Sequence, residues 1–137
     1  MQTFLPYADF RTSLDCLDNK RLGKQRVEAM QILRALENPG TSRWENHPAV
    51  KMWRGHIAAL KLYHDIAIRI WKERGFKNTM IEYNAYCDDF PTWLGDSSFH
   101  DSHKSNLVRK DPKHYRKYFP DVQDDLPYVW PLSSSIP

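Results

Sequence analysis

Residues 48–75 read PAVKMWRGHIAALKLYHDIAIRIWKERG. Within them Val50, Trp53, Ile57, Leu60, His64, Ala67 and Trp71 recur every three to four positions, the repeat of one face of an α-helix. Asn46-His47-Pro48 is a start signal with proline in the first turn, and Gly75 is a stop. The spacing predicts one long amphipathic helix across the stretch. Lys61, His64, Asp65 and Arg69 interrupt its apolar centre, so it cannot span a bilayer.

The same reading extends in both directions. Met1 to Arg11 is an extended arm that ends in a turn. Ser13 or Asp15 can cap the helix that follows. Leu14, Leu17, Leu22, Met30, Leu33 and Leu36 fall close to one stripe, and Asn38-Pro39-Gly40 ends it, with a loop to Glu45. Downstream, a short helix is expected over Thr79 to Tyr86 and a loop over Pro91 to Asp96. Further helices are expected over His100 to Arg109 and over Asp111 to Tyr118. The tail carries Pro120, Pro127, Pro131 and Pro137 and is expected to be irregular and to wrap the surface. No segment alternates with period two. The fold expected is therefore all-α: one compact domain over residues 1–137, with two long helices, shorter helices, an extended N-terminal arm and an irregular tail.

A chain of 137 residues with 41% hydrophobic residues, including five Trp, seven Tyr and six Phe, can bury one core. Cys16 and Cys87 stand far apart and in no CxxC pattern. A disulfide framework or a zinc site is not expected, and the cytoplasm is the expected compartment. The start Met1-Gln2-Thr3-Phe4-Leu5-Pro6 lacks the basic and apolar runs of a signal peptide. A monomer is expected.

Net charge is only +3, but the charge is segregated. Lys20 to Arg34 holds five basic residues and one acid, and His100 to Lys117 holds six basic residues, two acids and three histidines. The last twenty residues hold three aspartates and no Lys or Arg. Segregation of this kind is the footprint of a face that binds a polyanion. The plainer alternative is a solvated helix surface.

Lys20, Lys24, Glu28 and Gln31 are spaced by four, four and three, which sets them on one helix face, flanked by Arg21 and Arg26. Two readings of Glu28 stand. One is an i,i+4 ion pair with Lys24. The other is a lone carboxylate in a phosphate-contacting surface, useful where a sugar C1′ develops positive charge or a proton must move. Gly55 lies inside the predicted second helix, where glycine tends to mark a close approach. Beside it, His56 is either a core or capping residue or part of a site lining that includes Arg54. In the third basic region His100, His103, Lys104, Arg109, Lys110, Lys113, Arg116 and Lys117 interleave with hydroxyl and aromatic residues. That mixture suits phosphate contact and base stacking. His100 and His103 lack a third ligand at regular spacing, so no metal is expected. No glycine-rich phosphate loop or paired-acid nuclease pattern is present, and no cofactor is expected.

Three stretches together resemble the phage pyrimidine-dimer DNA glycosylase family, also called endonuclease V. The first is Leu17-Asp18-Asn19-Lys20-Arg21-Leu22-Gly23-Lys24-Gln25-Arg26-Val27-Glu28. The second is Pro48, then Gly55-His56, then Lys72-Glu73-Arg74-Gly75-Phe76. The third runs from His100 to Phe119. The resemblance covers roughly residues 12–119. It implies an all-α fold and a partner that is damaged, double-stranded DNA. It also implies a mechanism in which a free α-amine attacks C1′, a Schiff base forms and β-elimination cuts the strand. The assisting glutamate falls on Glu28. An α-amine with an ordinary pKa of about 7.7–8.0 is partly unprotonated at neutral pH, as a typical lysine is not. The phage enzyme exposes threonine after its initiator methionine is removed. Here the bulk of Gln2 opposes that removal, so the α-amine role passes to Met1, with Lys20 or Lys24 as the substitute. The reading expected is a metal-independent DNA repair glycosylase with AP-lyase activity. The alternatives are a non-catalytic nucleic-acid-binding module and a helical protein-interaction or small-ligand domain.

Overall fold

The structure is a computed structural model, and it describes residues 1–131. All regular structure among them is helical. The helices are α1 (Phe10–Asp15), α2 (Asn19–Glu37), α3 (Pro48–Lys51), α4 (Ile57–Glu73), α5 (Ser97–Lys110) and α6 (Pro112–Tyr115). The all-α fold expected from the sequence is what forms.

The two long helices, α2 and α4, make the main packing contact. Gly23 at the start of α2 meets Trp71 at the end of α4. At the other end, Lys61 of α4 pairs with Glu37 of α2 at 3.3 Å. The helices therefore run antiparallel. Their apolar stripes meet through Leu22, Ala29, Ile32 and Leu33 on one side and Leu60, Tyr63 and Ala67 on the other, all fully buried. Burial of a leucine- or isoleucine-sized side chain contributes about 1.5–3 kcal/mol each before chain entropy is subtracted.

Between these helices and α5 runs the N-terminal arm, with residues 2–6 buried. A buried segment outside any helix or sheet must find side chains for its backbone groups, and this one does. Phe4 N–H donates to Gln25 Oε1 at 2.8 Å and Leu5 N–H to His103 Nδ1 at 2.8 Å. His100 Nδ1 donates to Leu5 O at 2.7 Å. Tyr63 O–H lies within reach of both Phe4 O at 2.9 Å and Gln25 Oε1 at 2.7 Å, its single proton serving one at a time. Trp53 Nε1–H donates to Thr3 Oγ1 at 3.0 Å.

Four local expectations are corrected. The cap of the first helix is Asp9, which accepts from Thr12 N–H at 2.8 Å. Ser13 instead exchanges bonds with the Tyr7 backbone, and the chain breaks at residues 16–18 before α2. The long helix predicted over 48–75 is two helices. Gly55 takes φ +80° there, and a Cβ at that position meets nothing within 4 Å. The glycine is needed for its left-handed backbone rather than for a close approach. The close approach occurs at Gly23. Residues 79–86 are irregular rather than helical, with Asn84 at φ +53°, and they carry no stripe to bury: Ile81 is 86% exposed. The Asp65 carboxylate accepts Tyr83 N–H and Ala85 N–H, each at 2.8 Å, and holds the segment to α4. Finally, α6 stops at Tyr115 rather than Tyr118.

The tail is irregular as expected, and it lies along α5. Leu126 N–H donates to Ser105 Oγ at 3.0 Å and Val129 N–H to Ser102 Oγ at 3.2 Å. Pro137 lies outside the described residues. No helix among those described is long and apolar enough to cross a membrane.

Candidate active site

The arm ends beside α2 in a cavity of about 260 Å³ lined by Met1, Gln2, Phe4, Lys20, Arg21, Lys24, Gln25, Glu28, Lys110 and Tyr128. Helix periodicity accounts for the α2 members. Lys20, Lys24 and Glu28 are successive turns of one face, and Arg21, Gln25 and Glu28 lie on the adjoining ridge. Lys110 arrives from the last turn of α5, and Tyr128 from the tail that α5 pins.

Glu28 is half-buried and held through one oxygen. Its Oε2 accepts Gln2 N–H at 3.3 Å and Gln25 Nε2–H at 3.2 Å. The amide of Gln25 cannot be reversed, because its Oε1 takes the Phe4 N–H. Among the described residues Oε1 of Glu28 has no protein partner, and no ion pair with Lys24 forms. Glu28 is therefore fixed in direction and has one oxygen available for proton transfer. Its charge, after burial itself, helps hold the Tyr63 hydroxyl well above the ordinary phenol range. The chain's N-terminal charge acts similarly on its surroundings. His47 is held below the usual histidine value by partial burial first and by that charge second.

The remaining residues read from the sequence are dispersed. Gln31 is exposed, one turn beyond Glu28. Arg26 turns away from the cavity: its guanidinium lies 4.3 Å from the Trp71 ring centroid and donates to Asn78 Oδ1 at 2.7 Å. Arg54 donates to Glu45 O at 3.2 Å and lines a different cavity with Leu36 and Pro39. His56 precedes α4 without a side-chain capping bond and is half-buried. Lys113 and Lys117 are exposed on and after α6. Arg109 donates to Asn106 Oδ1 and to the tail carbonyls of Asp124 and Leu126. Arg116 donates to Val122 O at 2.6 Å. Both arginines therefore hold the tail.

His100 and His103 fall on the nucleic-acid face in the sequence reading. Burial puts them inside, both under 6% exposed, where they bind the arm. The proton of His100 sits on Nδ1, since Nε2 accepts Gly95 N–H at 2.8 Å. That of His103 sits on Nε2, since Nδ1 accepts from Leu5.

A larger cavity of about 490 Å³ opens between Tyr7, Lys104 and the Phe119–Gln123 turn. Its lysine already faces Asp101 at 3.7 Å and lies over the rings of Tyr7 and Phe119. It has no partner for the Met1–Glu28 pair.

The sequence reading missed Gln2, Gln25 and Tyr128. Gln25 carried a signal: it is a polar residue on the apolar side of α2, next to Leu22 and Ala29.

Residues 1–84 match the family described as pyrimidine dimer DNA glycosylase. The chain belongs to that family. The matched region contains the arm and α1 to α4, hence Met1, Gln2, Gln25 and Glu28. Comparison with curated proteins and with solved structures found no match. Membership in the pyrimidine dimer DNA glycosylase family makes DNA the substrate class. Lys20, Arg21, Lys24 and Lys110 line the cavity that holds Glu28.

Proposed function

We propose that this family member excises a damaged pyrimidine from duplex DNA and then nicks the strand through a Schiff base on the α-amine of Met1. One observation carries the reading: Met1 and Glu28 line the same cavity, and the peptide N–H that follows Met1 donates to the Glu28 carboxylate.

The chemistry needs both groups. The amine lone pair forms a bond to C1′ as the C1′–N1 bond breaks, and its electron pair leaves with the base. The new aminium loses a proton and the base gains one. Transfer of the remaining N–H proton to O4′ opens the sugar and gives the imine. Loss of a C2′ proton then expels the 3′ oxygen and cuts the strand. Glu28, on the wall of the same cavity, relays these protons in this reading, directly or through one water. The four surrounding cations hold phosphates while the damaged nucleotide, weakly stacked, leaves the helix.

The test is borohydride trapping on a duplex with one abasic site, together with intact-mass analysis. A covalent adduct mapping to the Met1 peptide is expected. Glu28→Gln keeps an acceptor for Gln2 N–H, and should slow nicking by about 10²-fold or more with DNA affinity nearly intact. Clear DNA binding by a protein with a free Met1 and no adduct would overturn the lyase reading and leave a binding module.

A further inference from the structure

We propose that the side-chain amide of Gln2 donates a hydrogen bond to O2 of the departing pyrimidine, stabilising the base as a leaving group. This rests on the Schiff-base reading above.

Gln2 is 6% exposed and lines the cavity beside Met1 and Glu28. Its Oε1 accepts Thr3 N–H at 3.0 Å, which fixes which end of the amide is nitrogen. Nε2 is shut off from solvent and has no partner among the described residues. Buried polar groups are almost always hydrogen-bonded, so an unpartnered donor at a cavity calls for an acceptor from outside. Two other buried side-chain nitrogens lack partners among the described residues, Arg26 Nε and His103 Nε2, but neither residue lines this cavity. Arg26 lies against Trp71, and His103 sits among the rings of Phe4, Phe99 and Tyr128. The orphan donor that matters is thus on the residue next to the attacking amine.

Its chemistry selects the acceptor. Phosphates in the cavity have Lys20, Arg21, Lys24 and Lys110. A neutral amide suits a neutral carbonyl that gains negative charge during the reaction. When C1′–N1 breaks, the electron pair on N1 spreads to O2 through the ring. O2 is the carbonyl nearest C1′, and thymine and cytosine share it. A donor placed there assists departure of either base and becomes idle once the base has gone.

That last point supplies the test. Gln2→Glu keeps the acceptor for Thr3 N–H and removes the donor, and Gln2→Met removes the donor without adding charge. Both keep a bulky second residue, so Met1 is retained in each, as intact mass will verify. Each variant is assayed on a duplex with one cyclobutane thymine dimer and on a duplex with one abasic site. The expected result is dimer excision slower by about 10²-fold, the loss typical of one charge-stabilising donor, with borohydride trapping at the abasic site unchanged. Unaltered excision would overturn the proposal. So would a parallel fall in excision and trapping, which would make Gln2 a support for the arm alone. Failure of the unsubstituted protein to trap an abasic site would instead defeat the Schiff-base reading itself, and this proposal with it.

Discussion

His103 shows how a residue can advertise one role in sequence and fill another in the fold. Set among basic residues, it reads as a nucleic-acid contact. In the structure burial, and secondarily His100, push its pKa down to about 3 from 6.5, and the neutral ring accepts the Leu5 N–H. Between those two pH values the unfolded chain binds the extra proton and the folded chain does not. Stability from this group is therefore complete above about pH 6.5 and is lost as pH falls toward 3. Urea unfolding measured from pH 7 to pH 4 should show a plateau and then a steep decline. His103→Leu should unfold more easily at pH 7, by about 1–3 kcal/mol for the stranded Leu5 N–H, and should show a shallower decline in acid. An acid profile identical to that of the unsubstituted chain would refute this account. The sequence could not reveal the role, because the partner lies 98 residues away. The place of Glu28 on the face of Lys20 and Lys24 was legible, because four-residue spacing on one helix is local; its partners Gln2 and Gln25 were not.

At the scale of elements, the existence of α2, α4 and α5 followed from periodicity and stop signals, and their breaks did not. Gly55 looked like a point of contact inside a helix and is instead the left-handed turn between two. Gly23 looked like ordinary helix and is the contact. A Cβ there would stand 3.0 and 3.1 Å from two atoms of the Trp71 ring. Trp71 cannot easily retreat. It stacks on Phe76 at 4.2 Å, lies under the Arg26 guanidinium and donates Nε1–H to Lys77 O at 3.0 Å. Alanine in a helix interior normally stabilises by about 1 kcal/mol over glycine, but overpacking costs about 1–3 kcal/mol. The crowding should win. Thermal unfolding of Gly23→Ala should show a lower midpoint, and a raised one would mean that α2 and α4 have room to part. No periodicity argument distinguishes the two glycines, since what separates them is a residue on another helix.

For the whole molecule, the sequence indicated a basic face but not which cations share it. Folding gathers Lys20, Arg21, Lys24 and Lys110 around one opening and commits Arg26, Arg109 and Arg116 to bonds within the fold. Duplex binding followed by fluorescence anisotropy across a salt series should separate these groups. Lys110→Ala should weaken binding on all sequences and reduce the salt slope by about 1, and Arg54→Ala should leave both unchanged. Equal losses from the two would show that phosphates spread over more of the surface than this opening. The threading of the arm has a consequence for synthesis as well. Its bonds to His100 and His103 span 95 and 98 residues. The arm thus cannot complete its bonds until α5 has been made. A nascent chain that stalls before α5 holds the arm, Glu28 and the α2 cations, yet lacks Lys110 and the two histidines that close the arm's far side. Premature release then yields a fragment whose arm is held from one side only.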